Sequence, residues 1–270
     1  MPCTLPASLA DAAVCRGSFH AVLGGEAGEA VFADFSAALQ KAQAEGRILT
    51  ASLFRYENHL FFYAEGLNRP FTPQGLCPAL DAALLPWPPA LGEAAPRPWA
   101  AMQPYFYHDV PTTAADWQRG RCPQRRRGRI ALLPPDSWCS YMEHHLRIVT
   151  EGLVEGDRWH LICVQEGVLF SYLEEPRTNV NIKHQPGAHS PELDAWIAAD
   201  PESHFARFTP EQKAHPDSGH NFVFLPRIAG TEDLNYDSRP EMADRPDRLC
   251  REPAGCPFGP CMLPLSLIHI

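Results

Sequence analysis

One pattern, Leu-Phe-x-Tyr-x-Glu, occurs twice in this chain, at residues 60–65 and 169–174. Its surroundings repeat with it. The first copy lies in a stretch that opens on Gly46, the second in one that opens on Gly156. A helix-like run precedes each glycine, over 30–45 and 136–155. A short strand candidate precedes each helix: 18–23 after Arg16-Gly17, and 129–133 after Arg127-Gly128. Similarity spaced this widely indicates a duplicated domain.

Each half also offers a second helix and a closing strand. In the second half these are 191–208, with a proline early as helices tolerate, and 221–225. In the first half the helix is short and proline-broken, over 78–85, and the last strand is 103–108. The order is β-α-β-β-α-β twice, the ferredoxin-like pattern. Such sheets carry helices on one face and leave the other bare, so two halves can bury their bare faces together. The expected fold is α+β: tandem ferredoxin-like repeats forming an intramolecular dimeric α+β barrel. The halves span 14–110 and 127–228, joined by a linker over 111–126. The run Arg125-Arg126-Arg127 reads as a solvated linker face. Residues 229–270 read as a disordered tail, rich in Pro, Arg, Asp and Cys, and the final residues 265–270 resemble translated adapter sequence.

Composition narrows the function. A net charge of −9 argues against a general nucleic-acid binder. No apolar run is long enough to span a membrane, and the N-terminus lacks the layout of a secretory signal. The nine cysteines are scattered, which reads as reduced thiols in the cytoplasm. Cys250, Cys256 and Cys261 lack the knuckle spacing of a zinc site, so no metal is expected.

The chemistry-bearing pair is Tyr141 and His145. Four residues apart on a helix, they share one face. Imidazole exchanges protons near neutrality, and a neighbouring phenol can donate a hydrogen bond or relay a proton. The same spacing also suits an ordinary helix-surface pair. Trp159, His160 and Tyr172 lie on or beside the hairpin strands and could contact a ligand, or could simply pack. Glu174 and Glu175 are adjacent on a strand and face opposite ways, which makes them a poor acid/base pair. Walker, Rossmann, nucleophile-elbow and HExxH motifs are absent.

Taken together, residues 127–226 resemble the L-rhamnose mutarotase family. The helix pattern Tyr-x-x-x-His with a later Glu falls on Tyr141, His145 and Glu151. The glycine is Gly156, the hairpin run is 169–174, and the closing Val-Phe-Tyr-Leu-Pro strand corresponds to 222–226. The chain departs from the family at Val149-Thr150, Trp159-His160 and Phe205-Ala206, where the family carries Trp-Pro, Asn-Tyr and paired tryptophans. The first half, aligned on Gly46, has Val31 and Phe35 where Tyr141 and His145 stand.

The resemblance implies interconversion of the anomers of a free deoxyhexose such as L-rhamnose. It implies His145 as acid/base, Tyr141 as its partner, and His160, Tyr172 and Trp159 as sugar contacts, with no cofactor. The expected partner is a small monosaccharide, not nucleic acid or a membrane, and the pseudo-dimer needs no second copy. A non-catalytic sugar-responsive or interaction protein on the same barrel is the competing expectation. A small-molecule monooxygenase on the same broad fold is a third.

Overall fold

The computed structural model describes residues 6–90, 92–119, 125–150, 154–155, 157–175, 181–182, 191–213 and 218–231. It is α+β, with two five-stranded antiparallel sheets. The first half runs β1 (Val14–Val22), α1 (Glu29–Ala44), β2 (Ile48–Tyr56), β3 (His59–Leu67), α2 (Pro78–Ala82) and β4 (Ala100–Ala101). β5 (Gln103–Tyr107) follows. The second half runs β6 (Arg125–Leu132), α3 (Pro135–Thr150), β7 (Val154–Glu155), β8 (Leu161–Gln165), β9 (Val168–Glu175), β10 (Asn181–Ile182), α4 (Pro191–Ala198), β11 (Val223–Leu225) and β12 (Arg227–Gly230).

Local chemistry sets these boundaries. α1 stops at Gly46, whose φ of +70° suits a residue without a side chain. There the amides of Gly46 and Arg47 reach back to the carbonyls of Gln43 and Ala42, closing the helix end. Both hairpins turn on two residues, Glu57-Asn58 and Glu166-Gly167, with the first at a φ of 53° in each case. α4 ends sooner than the apolar pattern suggests. Asp200 adopts a φ of 45° ahead of Pro201, and a 3-10 turn (Pro201–His204) takes over.

The strand order is β12-β2-β3-β1-β4 in one sheet and β11-β6-β9-β8-β5 in the other. The halves exchange strands. The segment 103–108, expected to close the first sheet, instead pairs with β8 of the second. Ala100 and Ala101 alone pair with β1. The crossing covers the open edge of β8 and buries Tyr105 and Phe106 in the second core. In return β12 pairs with β2. Ala229, Gly230 and Thr231 are therefore buried, and the expected tail boundary at 229 is too early. The remainder of that tail lies outside the described residues.

The linker reading also needs correction. Ala114, Trp117 and Arg119 are buried, with Trp117 packed against Ala12, Val14 and Leu67. The arginine run opens β6 instead of lining a solvated face. Arg125 and Arg126 stand opposite Glu175 and Glu174 on β9. Arg126 lies 3.4 Å from Glu174, and Arg127 pairs with Glu175 at 2.9 Å. Carboxylates placed directly across the ladder turn a charge run into a strand.

The hydrophobic interior has three main layers. α1 packs on one side of the first sheet, and α3 on one side of the second. Between the sheets, Phe54, Phe61 and Tyr63 meet Cys163, Phe170 and Tyr172.

Candidate functional site

α3 presents Tyr141 and His145 on one face, as their spacing predicts, with ring centroids 4.0 Å apart. That face is turned inward. Both residues are only 1% exposed, so the surface-pair reading is excluded. The His145 Nδ1–H donates to the Tyr141 carbonyl at 2.9 Å, which fixes the tautomer and leaves Nε2 as the acceptor nitrogen. Burial lowers the His145 pKa to about 4, partly countered by that hydrogen bond. The ring is therefore neutral at pH 7, and Nε2 can receive a proton but has none to give.

The walls are aromatic and polar. Phe106 lies edge-on to His145 at 5.4 Å, and Phe205 edge-on to Tyr141 at 4.9 Å. Tyr105, which sequence reasoning passed over, stands 6.3 Å from Tyr141 and 6.1 Å from His145. Burial raises its pKa well above the ordinary value, and the facing Tyr141 adds to this. His160 is fully buried 5.9 Å from Phe106, on the same side of the sheet. It precedes β8 in a turn instead of lying on a strand, because its amide bonds the Asp157 carbonyl. Arg129 is buried with its guanidinium 4.3 Å from the Phe222 ring centroid.

Tyr172 and Trp159 do not join this group. β9 alternates, so Leu169 faces α3 while Phe170 and Tyr172 face the other sheet. Tyr172 stacks on Tyr63 and cannot touch a ligand held by His145. Trp159 sits with Trp117, its ring 5.3 Å from the Arg119 guanidinium. Their proposed sugar contacts at the His145 site are corrected on these grounds. Glu151 lies outside the described residues.

What surrounds Tyr172 is an ion network built from both repeats. The Tyr63 hydroxyl donates to Glu65 at 2.7 Å and the Tyr172 hydroxyl to Glu174 at 2.6 Å. Arg119 bridges the two carboxylates, at 2.6 Å to Glu65 and 2.7 Å to Glu174. Trp117 Nε1–H donates to Glu65, and Arg16 Nε–H donates to the Tyr63 hydroxyl. The Tyr-x-Glu of the repeated pattern is thus a closure between sheets.

The strand registers align the halves residue by residue. Tyr63 corresponds to Tyr172 by the repeated pattern. Phe19 then falls on Arg129, Ala51 on His160, and Phe62 on Ser171. Arg16 falls on Arg126, one residue off the Arg-Gly alignment read from sequence. The helices match end to end, Glu29–Ala44 with Pro135–Thr150, and their buried faces coincide, so Phe35 and Leu39 occupy the places of Tyr141 and His145, four residues on from the Val31 and Phe35 that alignment on Gly46 gives. Under α1 these positions are apolar, with Phe35 stacked on Trp99. Under α3 they are Arg, His, Ser, Tyr and His.

Two surface concavities, of about 460 and 330 Å³, lie elsewhere. One is beside Arg47, Arg69 and Phe71, the other beside Tyr56 and Glu211. Among the described residues no three His, Cys, Asp or Glu side chains converge as a metal site, and no helix is long and apolar enough to cross a membrane.

No protein-family model matches the chain, and no curated protein does either. Solved structures resemble it loosely. A candidate monooxygenase of Lactobacillus acidophilus NCFM is 6% identical over 81% of this chain and 95% of its own, with a TM-score of 0.37. One of Fusobacterium nucleatum subsp. nucleatum ATCC 25586 is 10% identical over 81% and 94%, at 0.36. An anthrone oxidase-like protein is 7% identical over 87% and 97%, at 0.35. At these values the likenesses carry nothing about family or chemistry.

Proposed function

We propose that the second half is an acid/base enzyme of the mutarotase type, acting on a free deoxyhexose such as L-rhamnose. In this reading the two halves form a single intramolecular dimeric barrel with one site, between α3 and the second sheet. One observation carries it. At five matched positions in the helix–sheet interface, Phe19, Ala51, Phe62, Phe35 and Leu39 of the first half stand where the second has Arg129, His160, Ser171, Tyr141 and His145. An apolar interface suffices to seat the helix, as the first half demonstrates. Five polar groups in that interface, each needing its own partner, are more than seating a helix requires.

The chemistry suits these groups. His145 Nε2 takes the anomeric hydroxyl proton as the bond from C1 to the ring oxygen breaks. The Tyr141 phenol supplies a proton to that oxygen. Rotation about the C1–C2 bond and reversal of both transfers return the other anomer, with no net change in atoms or charge. Assistance of this kind contributes roughly 10²–10⁴-fold. Entry of a sugar requires the aromatic cover at Phe106 and Phe205 to open.

That cover also favours the second reading, a non-catalytic interaction protein on the same barrel, since His145 is 1% exposed. Saturation-transfer NMR of the anomeric protons of L-rhamnose and L-fucose separates the two. Exchange accelerated by the wild type and lost in His145→Gln supports the enzyme. No acceleration by folded wild-type protein moves the reading to the interaction protein.

A further inference from the structure

The wall of this site nearest His145 is supplied by the first half. β5 leaves the first sheet after Ala101 and pairs with β8, matching Pro104 to Cys163 and then Phe106 to Ile162. Tyr105 is the extra residue of a β-bulge. On a regular strand Tyr105 and Phe106 would face opposite sides of the sheet. The bulge aims both rings at α3, where Tyr105 meets Tyr141 and Phe106 meets His145.

β12 makes the reciprocal excursion. It matches Arg227 to Phe54 and then Ala229 to Leu53, leaving Ile228 as the extra residue. The registers put Ile228 where Tyr105 stands and Ala229 where Phe106 stands. Both bulges therefore belong to the strand exchange, and an aliphatic residue fills the position in the first half. The exchange does not require a phenol there, yet β5 buries one against Tyr141.

We infer that Tyr105 is a positioning residue of the second-half site: its phenol, set edge-on against Tyr141, holds that ring beside His145, so the first half contributes a working side chain. The inference rests on the mutarotase reading of Tyr141 and His145. It makes the first half part of the site as well as part of the scaffold.

Tyr105→Phe keeps the ring and removes only the oxygen; Tyr105→Ile reproduces the residue at the matched position. Anomer exchange of L-rhamnose and L-fucose is measured on the full chain over a range of pH, with circular dichroism confirming the fold of both variants. The expected result for Tyr105→Phe is a kcat about tenfold lower, with KM within about twofold. The alkaline limb of the pH profile moves, because Tyr141 has lost its neighbour. Tyr105→Ile loses at least as much. Exchange that is present in the wild type, lost in His145→Gln and unchanged in Tyr105→Phe overturns this inference alone. So does a loss in KM alone with an unmoved limb. No exchange in the wild type overturns the mutarotase reading and this inference with it.

Discussion

Tyr63 and Tyr172 stack face to face across the two sheets, with ring centroids 3.7 Å apart and planes 10° from parallel. They occupy the same place in the two copies of the repeated pattern. Each donates its hydroxyl to the glutamate two residues on, and Arg119 bridges those glutamates. A segment expected to be a linker therefore supplies the charge that lets both carboxylates stay buried. Removing one partner of a buried ion cluster strands the others without compensation. Arg119→Met is expected to cost about 3–5 kcal/mol. Adding Glu65→Gln and Glu174→Gln should recover part of that loss. Urea unfolding of the single and triple variants checks both, and a single variant within 1 kcal/mol of wild type, as an approximate threshold, would sink the argument.

Stability should fall with acid in two stages. Burial lowers the pKa of His20 and of His145 to about 4. At His20 the hydrogen bond that its Nδ1–H donates to Gln165 Oε1 opposes this and neighbouring His59 reinforces it. Unfolded, these imidazoles take protons below about 6.5, but folded only near 4. The unfolded state binds more protons between those values, so stability drops as pH falls from about 6.5 to 4. The glutamates act next. Burial opposes their ionisation, but Arg119 outweighs it, lowering Glu65 and bringing Glu174 to about 2. Their contribution is present above an unfolded value near 4.3 and is lost as pH falls toward about 2. Urea midpoints taken across this range should decline throughout. A flat midpoint over the upper stage would show that the histidines are not buried neutral.

Gly128 should not tolerate a side chain. A Cβ there would lie 2.6 Å from Cγ of the Phe54 ring, which is itself fully buried between the sheets. Gly128→Ala is expected to destabilise by about 1–3 kcal/mol through overpacking. Because the clash has one partner, the effect should be strongly non-additive with Phe54→Leu. A double-mutant cycle by thermal or urea unfolding measures the coupling, and simple additivity would mean that the ring moves aside freely.

Much of this architecture was legible in the sequence, and the losses have physical causes. The repeat, the hairpins with their turns and the shared helix face of Tyr141 and His145 follow from periodicity and turn chemistry; that this face turns inward does not. The strand exchange does not. Residues 103–108 read as a strand, but nothing local says which edge they join, since pairing is set by distant burial. Arg126 reads as solvated because arginine usually is, Arg119 falls in an apparent linker, and the carboxylates that receive them lie about fifty residues away in the chain. Tyr172 was grouped with His145 because a sequence fixes alternation along a strand but not which face meets the helix. Tyr105 escaped notice because a bulge, not a motif, aims it at α3.

The last expectation concerns the cost of keeping the polar site. His145 is buried among Tyr105, Phe106 and Tyr141, and its matched residue on α1 is Leu39, fully buried in the first core. If the polar face under α3 is kept for chemistry, giving it the first half's residue should help the fold and harm the function. His145→Leu is therefore expected to leave stability at pH 7 unchanged or to raise it by about 0.5–2 kcal/mol. It should also remove the acid-sensitive stage that His145 contributes between about pH 6.5 and 4. Anomer exchange should fall by roughly 10²-fold or more, the share that a positioned acid/base group supplies. The converse change, Leu39→His, places an imidazole among apolar neighbours and should destabilise by about 1–3 kcal/mol. Chemical unfolding at pH 7 and pH 5 measures the stabilities, and saturation-transfer NMR measures the exchange. A His145→Leu protein that is markedly less stable than wild type would mean that His145 is kept for packing, and the contrast between the two halves would lose its functional meaning.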